Sequence, residues 1–537
     1  MSELGLLADF RMYARFALGL RRFLRRRMSP EEARTIIRRR LETRPERFLN
    51  IVRKGIFQNP RSPYRHLMRL ADCRMGDLEH MVRRHGVDHT LERLYEAGVY
   101  VSFEELKGRR PIVRGGREFA VSTRDFDNPY LRHYYAGSTS GSTGAGTRAL
   151  LDLGLIWGSL PVRLLAREGQ GVLDAPVAMW RGTLPGVTGL LGVLRGPAMG
   201  NPPRRWFTPI TGDDVYLPLK HRLATEYILT VGRLCGVHMP RPELLKLDRP
   251  DALVRWAERA VGRRGKCLVR TYPSLALRVC VAAGRMGVDM DGVTFVGGGE
   301  PPTEAKVARI RRAGARWFPT FAATEVGTMG MGCAAPADGN DVHLATDLVA
   351  LIQRPVRPPG WNTTVPAFFV TTLLPAAPKL LLNAGLDDYG VVEERSCGCP
   401  LHDVGYATHV RDIRSYSKLT GEGVTLVEAD LVRIIEQELP ERYGGTALDY
   451  QLMEEEATNG LTRLSLLVHP RVELPDEGAL IEFVLRRLKE EGLAAAFAAA
   501  FWEQGRSVRV VRRPPVTGAT GKLMPIHVTR KVGASTS

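Results

Sequence analysis

The sequence predicts an α/β protein with three parts. A helical N-terminal extension comes first, a large multi-layered domain follows it, and a small α+β domain ends the chain. Between residues 116 and 410, short β-forming apolar runs such as "GVTFVGGG" alternate with helical stretches such as "TEAKVARIRRAG", which is typical of α/β layers. After residue 411, helical patterns and two strand patterns, "TRLSLLVHP" and "SVRVVRR", suit a compact α+β unit. Residues 1–115 are mostly helical in pattern. We therefore expect three regions, 1–115, 116–410 and 411–537.

The N-terminal region is basic as well as helical. One helix is expected to begin after Ser29, a good N-cap residue, with Pro30 at its first position. About half of the net charge of +18 lies in the first 54 residues. Apolar side chains recur at helical spacing opposite the arginines, at Leu6, Phe10, Tyr13, Phe16, Leu20 and Leu24. Two interpretations stay open: a solvated helical face, or a docking surface for an acidic partner or an anionic membrane. No zinc-finger, RNP or helix-turn-helix signature accompanies the charge, which argues against nucleic acid as a partner.

Composition and cysteine usage indicate an ordinary globular protein of the cytoplasm. The chain of 537 residues is 44% hydrophobic and 25% charged, and it contains no run of eighteen apolar residues. The first apolar segment precedes the basic cluster, which is the reverse of a secretory signal. Seven cysteines, an odd number, argue against a disulfide framework. Four of them are expected to be small buried hydrophobes: Cys73, Cys235, Cys267 and Cys280.

The stretch "GSTSGSTGAGTR", residues 137–148, is either a flexible linker or a loop that holds phosphate. Apolar segments flank it on both sides, so it joins ordered parts of one domain. Glycines allow tight turns, and hydroxyl and amide groups can converge on phosphate oxygens. The loop lacks the lysine of a Walker A motif.

Residues Thr139–Thr147, "TSGSTGAGT", resemble the phosphate loop of the adenylate-forming acyl- and aryl-CoA synthetase superfamily. Threonine at 147 is similar to the phenylacetate-CoA ligase branch, whereas Gly146 stands where that family has proline. The resemblance implies a large domain of the adenylate-forming fold with a mobile C-terminal lid. It also implies that the ATP phosphates are held by Thr139, Ser140, Gly141, Ser142, Thr143, Gly144 and Thr147.

Two further stretches resemble the nucleotide-binding segments of this family. "VGGGEPPT" is similar to the turn whose backbone lines the adenine pocket, which points to Gly298, Gly299 and Glu300. "FAATE" is similar to the motif Y-G-x-T-E. The resemblance implies that Phe321 flanks adenine, that Ala322 and Ala323 line the AMP site, that Thr324 contacts the α-phosphate, and that Glu325 holds Mg²⁺. Ala322 replaces the usual glycine.

Three later segments complete the resemblance. "GLDDYG" falls where the family places a ribose-binding aspartate, and we assign Asp388, with Asp387 as the alternative. "TGATGKLMPIHVTR" resembles the closing motif, whose lysine, here Lys522, stabilises the transferring oxygens during adenylation. "SKLTGEGVTLVEADL" resembles the segment that opens the lid, where Gly421 borders the pantetheine tunnel. The hinge aspartate expected shortly before it is missing, because Arg414 and Ser415 stand there.

A second constellation predicts a structural zinc site. Cys333, His343, Cys397 and Cys399 offer three thiolates and an imidazole, a set that suits tetrahedral Zn²⁺. The phenylacetate-CoA ligase branch includes members with a similar spacing of cysteine, histidine and a later C-x-C. His402 is a possible substitute ligand.

Taken together, the resemblance implies an ATP- and Mg²⁺-dependent ligase that activates an aryl or acyl carboxylic acid as its AMP adenylate. The activated acid then passes to a thiol, with CoA as the family default. Two other acceptors stay open, an acidic acyl carrier protein and an amine. A non-catalytic nucleotide-binding or partner-docking protein that retains the fold is the alternative of a different class.

Overall fold

The computed structural model describes most of the chain. The described residues are 15–131, 134–138, 148–184, 186–210, 219–358, 364–415, 419–421, 424–426, 428–456, 461–491, 493–516 and 526–528. Within them, the helices are α1 (15–24), α2 (Pro30–Glu42), α3 (Arg44–Val52), α4 (Pro63–Leu70), α5 (Met75–Glu96), α6 (Phe103–Leu106), α7 (Leu153–Gly158), α8 (Leu160–Gly169), α9 (Thr188–Ala198), α10 (Leu219–Leu234), α11 (Asp251–Arg264), α12 (Pro273–Met286), α13 (Glu304–Arg312), α14 (Pro400–Asp403), α15 (Glu428–Arg433), α16 (Leu439–Tyr443), α17 (Glu477–Glu490) and α18 (Leu493–Gly505).

The strands begin at Ile112, a few residues before the predicted end of the helical N-terminal region. They are β1 (Ile112–Arg114), β2 (Arg117–Phe119), β3 (Tyr134–Ser138), β4 (Arg148–Asp152), β5 (Val177–Trp180), β6 (Arg205–Thr208), β7 (Pro242–Leu244), β8 (Cys267–Thr271), β9 (Val293–Gly297), β10 (Arg316–Ala323), β11 (Gly327–Gly332), β12 (Val342–Leu344), β13 (Val349–Val356), β14 (Val365–Thr372), β15 (Ala384–Glu394), β16 (Thr408–Ser415), β17 (Leu419–Gly421), β18 (Val424–Leu426), β19 (Tyr450–Glu456), β20 (Thr462–Val468), β21 (Val508–Arg512) and β22 (Ile526–Val528).

The large domain is organised around one long sheet. Among the described strands it has twelve members in the order β13-β14-β15-β16-β12-β11-β10-β9-β8-β5-β6-β7. Strands β5 to β10 pair in parallel, and β10 to β16 pair antiparallel. The parallel strands alternate with helices because a parallel connection requires a crossover, which accounts for the strand and helix alternation in the sequence. The α/β class is confirmed.

Two apolar cores cover the two faces of this sheet. Strand β8 illustrates the division, because Leu268 belongs to one core while Cys267 and Val269 belong to the other. The first core includes the N-terminal helices and α7 to α9. The second includes α11 to α13 and the elements after Glu428. The side chain of Arg270 therefore faces α8 and α9.

The C-terminal elements build a separate, smaller sheet in the order β21-β20-β19-β22, with α17 and α18 packed together beside it. Hydrogen bonds between this part and the large domain include Lys306 Nζ to Thr462 Oγ1 at 3.1 Å and Arg278 to the carbonyl of Gly505 at 3.2 Å. Strand β16, which belongs to the large sheet, spans the predicted boundary at residue 410. The three-region division itself stays a prediction.

Helix α1 packs its apolar side into the protein. Phe16, Leu20 and Leu24 are at most 4% exposed, and Arg26 lies over the ring of Trp157 at 3.8 Å. The suggested docking of this apolar stripe onto a membrane is therefore wrong for its described residues, because the large domain already covers them. Leu6, Phe10 and Tyr13 lie outside the described residues. Within the described chain, no helix combines the length and the apolar character needed to span a bilayer.

Candidate active site and metal cluster

The candidate nucleotide site lies at the carboxyl ends of neighbouring parallel strands. Strand β9 ends at Gly297 and is followed by the "GGE" turn, while β10 runs beside it and leads to Glu325. Ligands of open α/β sheets bind outside the carboxyl ends of the strands, because backbone groups and loop side chains converge there. The two segments that resemble the adenine pocket and the metal-holding motif are therefore side by side in space.

The glycines after β9 are required by close packing. A Cβ on Gly298 would lie 2.1 Å from the carbonyl oxygen of Thr320 in β10. Gly299 has a φ of +103°, and a Cβ there would lie 3.0 Å from the ring of Tyr272. Only glycine combines this conformation with this approach. The turn is thus held flat against β10, with its backbone at the strand ends.

Glu300 points its carboxylate into the protein. The side chain is 5% exposed and accepts a hydrogen bond from the backbone N–H of Ser274, in the first turn of α12. Lys306 lies 3.8 Å from its other oxygen. A carboxylate at a helix N-terminus is favoured by the helix dipole. In this position the contribution of Glu300 to the turn is to anchor it, and the turn's backbone is what lies at the strand ends.

Phe321 connects the candidate adenine segment with strand β14. Its ring meets that of Phe368 edge to face, with centroids 6.3 Å apart, and both rings are buried. Phe368 also lies against Gly390 of β15, where a Cβ would come within 3.1 Å of the ring. Strands β10 and β14 are five places apart in the sheet order, so the sheet curls strongly between them. This curl brings the strand that carries Asp387 and Asp388 towards Phe321.

The two aspartates differ in environment. Asp387 has a φ of 75° and is 1% exposed, with the Ser415 hydroxyl 3.4 Å from one of its carboxylate oxygens. Asp388 is half-buried and pairs in register with Ser415 of β16. A ribose-binding carboxylate has to be reachable by ligand. The greater exposure of Asp388 supports its choice over Asp387 as the ribose residue.

Glu325 forms a buried ion pair that the sequence analysis missed. Its Oε1 lies 2.7 Å from the Nζ of Lys107, and the two side chains are 10% and 4% exposed. Lys107 caps the C-terminus of α6, a helix that begins with the Ser102–Glu105 capping box, and its ammonium lies 5.4 Å from the centroid of the Phe103 ring. The sequence signals the position of Lys107 only through this capping box. The box places the residue at the end of α6 but does not indicate that it pairs with Glu325.

Several predicted residues lie outside the described part of the chain: the phosphate-loop residues 139–147 and Lys522. Their flanks are described. Strands β3 and β4, which flank these loop residues, pair antiparallel with Ser138 opposite Arg148. Lys522 precedes β22, which pairs with β19 in the C-terminal sheet. Gly421 ends β17.

Cys333, His343, Cys397 and Cys399 form one cluster, with ligand atoms all within 4.8 Å of one another. Cys333 follows β11, His343 lies in β12, and the C-x-C pair precedes α14. The Nε2 atom of His343 lies 3.4 Å from the sulfur of Cys397 and 3.1 Å from that of Cys399. Sulfur and nitrogen ligands on a tetrahedral zinc ion would be about 3.6 Å apart. The donor set and spacing fit Zn²⁺.

The surroundings of the cluster prepare these ligands for a metal. The Nδ1–H of His343 donates to the carbonyl of Tyr406 at 2.8 Å, which leaves the Nε2 lone pair facing the sulfurs. The hydrogen bond from the Cys333 thiol holds the pKa of the Cys399 thiol below its usual range. A lowered thiol pKa favours the thiolate, the form that binds metals. The ring of His402 is not part of the cluster.

No protein-family model and no curated protein sequence matches the chain. Its fold is similar to that of several solved structures. A 2-hydroxyisobutyryl-CoA ligase in an open conformation with 2-HIB-AMP and CoA is 12% identical, with 94% of this chain and 93% of that chain covered and a TM-score of 0.41. An amide bond synthetase from Marinactinospora thermotolerans is 14% identical, with 82% and 78% covered and a TM-score of 0.39. An o-succinylbenzoate CoA synthetase from Bacillus subtilis is 12% identical, with 73% and 68% covered and a TM-score of 0.42.

Proposed function

We propose that the chain is an AMP-forming ligase of the phenylacetate-CoA ligase-like kind, which activates a carboxylic acid with ATP and transfers it to a thiol. The observation that supports this most is the convergence of the Gly298 turn, Phe321 and Glu325 at the ends of two neighbouring parallel strands. These groups belong to two separate sequence motifs, "VGGGEPPT" and "FAATE". Their proximity is what a single nucleotide site requires.

The proposed reaction has two steps. A carboxylate oxygen of the acid bonds to the α-phosphorus of ATP, and the bond from that phosphorus to the bridging oxygen of pyrophosphate breaks. A thiol then attacks the acyl carbon of the adenylate, and AMP leaves. Lys522 and Thr324 stabilise charge on the transferring oxygens, and the hydroxyl-rich loop holds the leaving phosphates. Phe321 stacks beside adenine, and Asp388 accepts from ribose hydroxyls.

Glu325 is the protein ligand proposed for Mg²⁺. A bound Mg²⁺ takes most of its ligands from phosphate oxygens and water, with one or two carboxylates from the protein, so a single glutamate suits it. When bound, the ion neutralises phosphate charge as it develops. Glu325 would hold the ion from a carboxylate whose Oε1 lies 2.7 Å from the ammonium of Lys107.

CoA is the acceptor that we propose, with Gly421 bordering the tunnel for its pantetheine arm. An acidic acyl carrier protein is the second choice, and the exposed arginines on and just after α1, such as Arg21, Arg22 and Arg25, would suit its charge. An amine acceptor, which gives an amide, is the third. The Lys107–Glu325 pair and the missing hinge aspartate favour the remaining candidate, a nucleotide-binding protein without catalysis.

Exchange of labelled pyrophosphate into ATP tests the proposal. We expect exchange that depends on an added carboxylic acid and that falls about 10²-fold or more in Lys522→Ala, because an oriented charge at the transferring oxygens is lost. Lys531→Ala, a nearby lysine outside the motif, should leave it unchanged. If no acid in a broad aryl and acyl panel supports exchange, the non-catalytic alternative is correct. Adding CoA, a carrier protein or amines to an active mixture then identifies the acceptor.

We also propose that the cysteine and histidine cluster holds one structural Zn²⁺ through Cys333, His343, Cys397 and Cys399. All four ligands come from the protein, which leaves no open position for catalysis. Metal analysis of the purified chain should therefore find about one zinc per molecule. A preparation without zinc that unfolds at the same temperature as one loaded with zinc would show that the proposal is wrong.

A further inference from the structure

Arg163, Arg167, Arg195 and Arg270 lie inside the large domain and form no ion pair with an acidic side chain among the described residues. Arg163 and Arg167 are one helical turn apart on α8, Arg195 is in the last turn of α9, and Arg270 is on the sheet face that α8 and α9 cover. Arg163, Arg167 and Arg195 are only 6–7% exposed, and Arg270 is partly buried. We call these four residues the arginine cluster.

Two contacts locate members of the arginine cluster in the fold. Arg163 donates to the Thr328 hydroxyl at 2.7 Å. The guanidinium of Arg270 lies against α9, because a Cβ on Gly192 would be 3.0 Å from its Nη1 atom. The arginines also repel one another. Burial lowers the pKa of Arg163 well below its usual value, and the charges of Arg195 and Arg270 lower it further. The four charges are therefore close enough to repel one another.

Hydrogen-bonding capacity in the cluster is largely unused. In the part of the chain that the structure describes, the guanidinium groups of Arg167, Arg195 and Arg270 form no hydrogen bond or ion pair, and Arg163 forms only its bond to Thr328. The Nε atoms of Arg163 and Arg195 and an Nη atom of Arg167 are buried without acceptors. Arginine stays protonated in proteins, so the charge cannot be removed by deprotonation. Buried charges without partners are strongly unfavourable, so an anionic group that is not among the described residues is needed to compensate these.

The cluster borders the candidate nucleotide site. Thr328, the partner of Arg163, lies shortly after Glu325. On the other side, Arg181 lies over the ring of Tyr272 at 3.8 Å and approaches the carbonyl of Gly298 at 3.4 Å. These contacts place the cluster next to the strand ends, where the reacting carboxyl group would lie.

The geometry points to a substrate acid that carries further anionic groups, carboxylates in particular, which the arginine cluster binds. This inference rests on the proposed function for the identity of the reacting carboxyl group. Guanidinium groups pair with carboxylates and phosphates through two parallel hydrogen bonds, so both are compatible with the cluster. We assign carboxylates rather than phosphates to the cluster. It lies on the sheet face beneath the helices, beside the strand ends where the acid would react.

Binding measured without ATP tests the cluster separately from catalysis. The probes are benzoate, isophthalate and benzene-1,3,5-tricarboxylate, which place one, two and three carboxylates on the same ring, together with pyrophosphate as a phosphate probe. Calorimetry on the full chain should show affinity that increases from benzoate to the tricarboxylate. Each well-placed carboxylate should also raise the unfolding temperature.

Arg195→Met and Arg167→Met provide the decisive comparison. Each should weaken binding of the tricarboxylate by roughly 30-fold or more, since one partner of a buried charge pair is lost. Each should also raise the unfolding temperature of the free protein, because an uncompensated buried charge is replaced by an apolar side chain of similar length. A residue with only a structural role would lower it. Arg255→Met, an exposed arginine on α11, should change neither quantity.

Three results would overturn the inference: equal affinity for benzoate and the tricarboxylate, unchanged tricarboxylate binding in both cluster variants, or binding of pyrophosphate but of none of the carboxylates. The last result would make the cluster a phosphate site. Failure of the proposed function looks different, because the tricarboxylate would bind through the cluster while no acid supported pyrophosphate exchange.

Discussion

Replacing Glu325 by glutamine is expected to lower acid-dependent pyrophosphate exchange by about 10²–10³-fold, because the proposed site loses its metal-holding charge. The same change removes the ion-pair partner of Lys107, whose side chain is 4% exposed, and leaves its ammonium charge buried. Breaking a buried ion pair from one side costs about 3–5 kcal/mol of unfolding free energy. Exchange assays and denaturant unfolding of the same preparation measure the two effects together.

The double variant Glu325→Gln/Lys107→Met separates the two roles of Glu325. Removing both charges should restore most of the lost stability, since no buried charge is left without a partner. Exchange should stay low. If Glu325 serves only as the partner of Lys107, the double variant will instead recover exchange along with stability. Asp347→Asn, which breaks the buried pair with Arg40, controls for the effect of lost stability on exchange.

Cys399→Ser is expected to abolish zinc binding and to lower the unfolding free energy by about 4 kcal/mol or more, as loss of a structural metal does. The cluster joins the segment after β15 to β11 and β12, so its loss should expose this segment to proteolysis first. Zinc content, thermal unfolding and limited proteolysis measure the three consequences.

Cys235→Ser is the matched control, because Cys235 is half-buried and lies outside the cluster. It should keep one zinc and the wild-type unfolding temperature. A Cys399→Ser protein that retains zinc in full would mean that the cluster is not the binding site. Retained stability after complete loss of zinc would mean that the metal is not structural.

Local patterns predicted a good part of the fold because strands and helices follow from periodicity. The run "GVTFVGGG" became β9 and its glycine turn, and "TEAKVARIRRAG" became α13, capped by Thr303. The stripe of Phe16, Leu20 and Leu24 was also correctly recognised as apolar and helical. Its partner was not predictable, since periodicity indicates which side of a helix is apolar but not which surface covers it.

The site divides in the same way. The ligand set of the metal cluster was predictable from residue type and spacing, and the structure brings all four groups together. The contact between Lys107 and Glu325 was not predictable, because the two residues are 218 positions apart along the chain. Arg195 and Arg270 carried a weaker signal, a charge within an apolar helix and an apolar strand, which alone does not distinguish an isolated buried charge from a binding site.

By itself the sequence determined the α/β alternation, the order of the motifs and the chemistry that each residue can supply. Only the tertiary structure decided which of these groups meet: the curl of the sheet brings Phe368 to Phe321, α6 places Lys107 on Glu325, and two helices close over Arg270. The physical reason is the range of the interactions. Turns, caps and periodicity act between residues a few positions apart, whereas ion pairs and ring contacts across a fold depend on how whole elements pack.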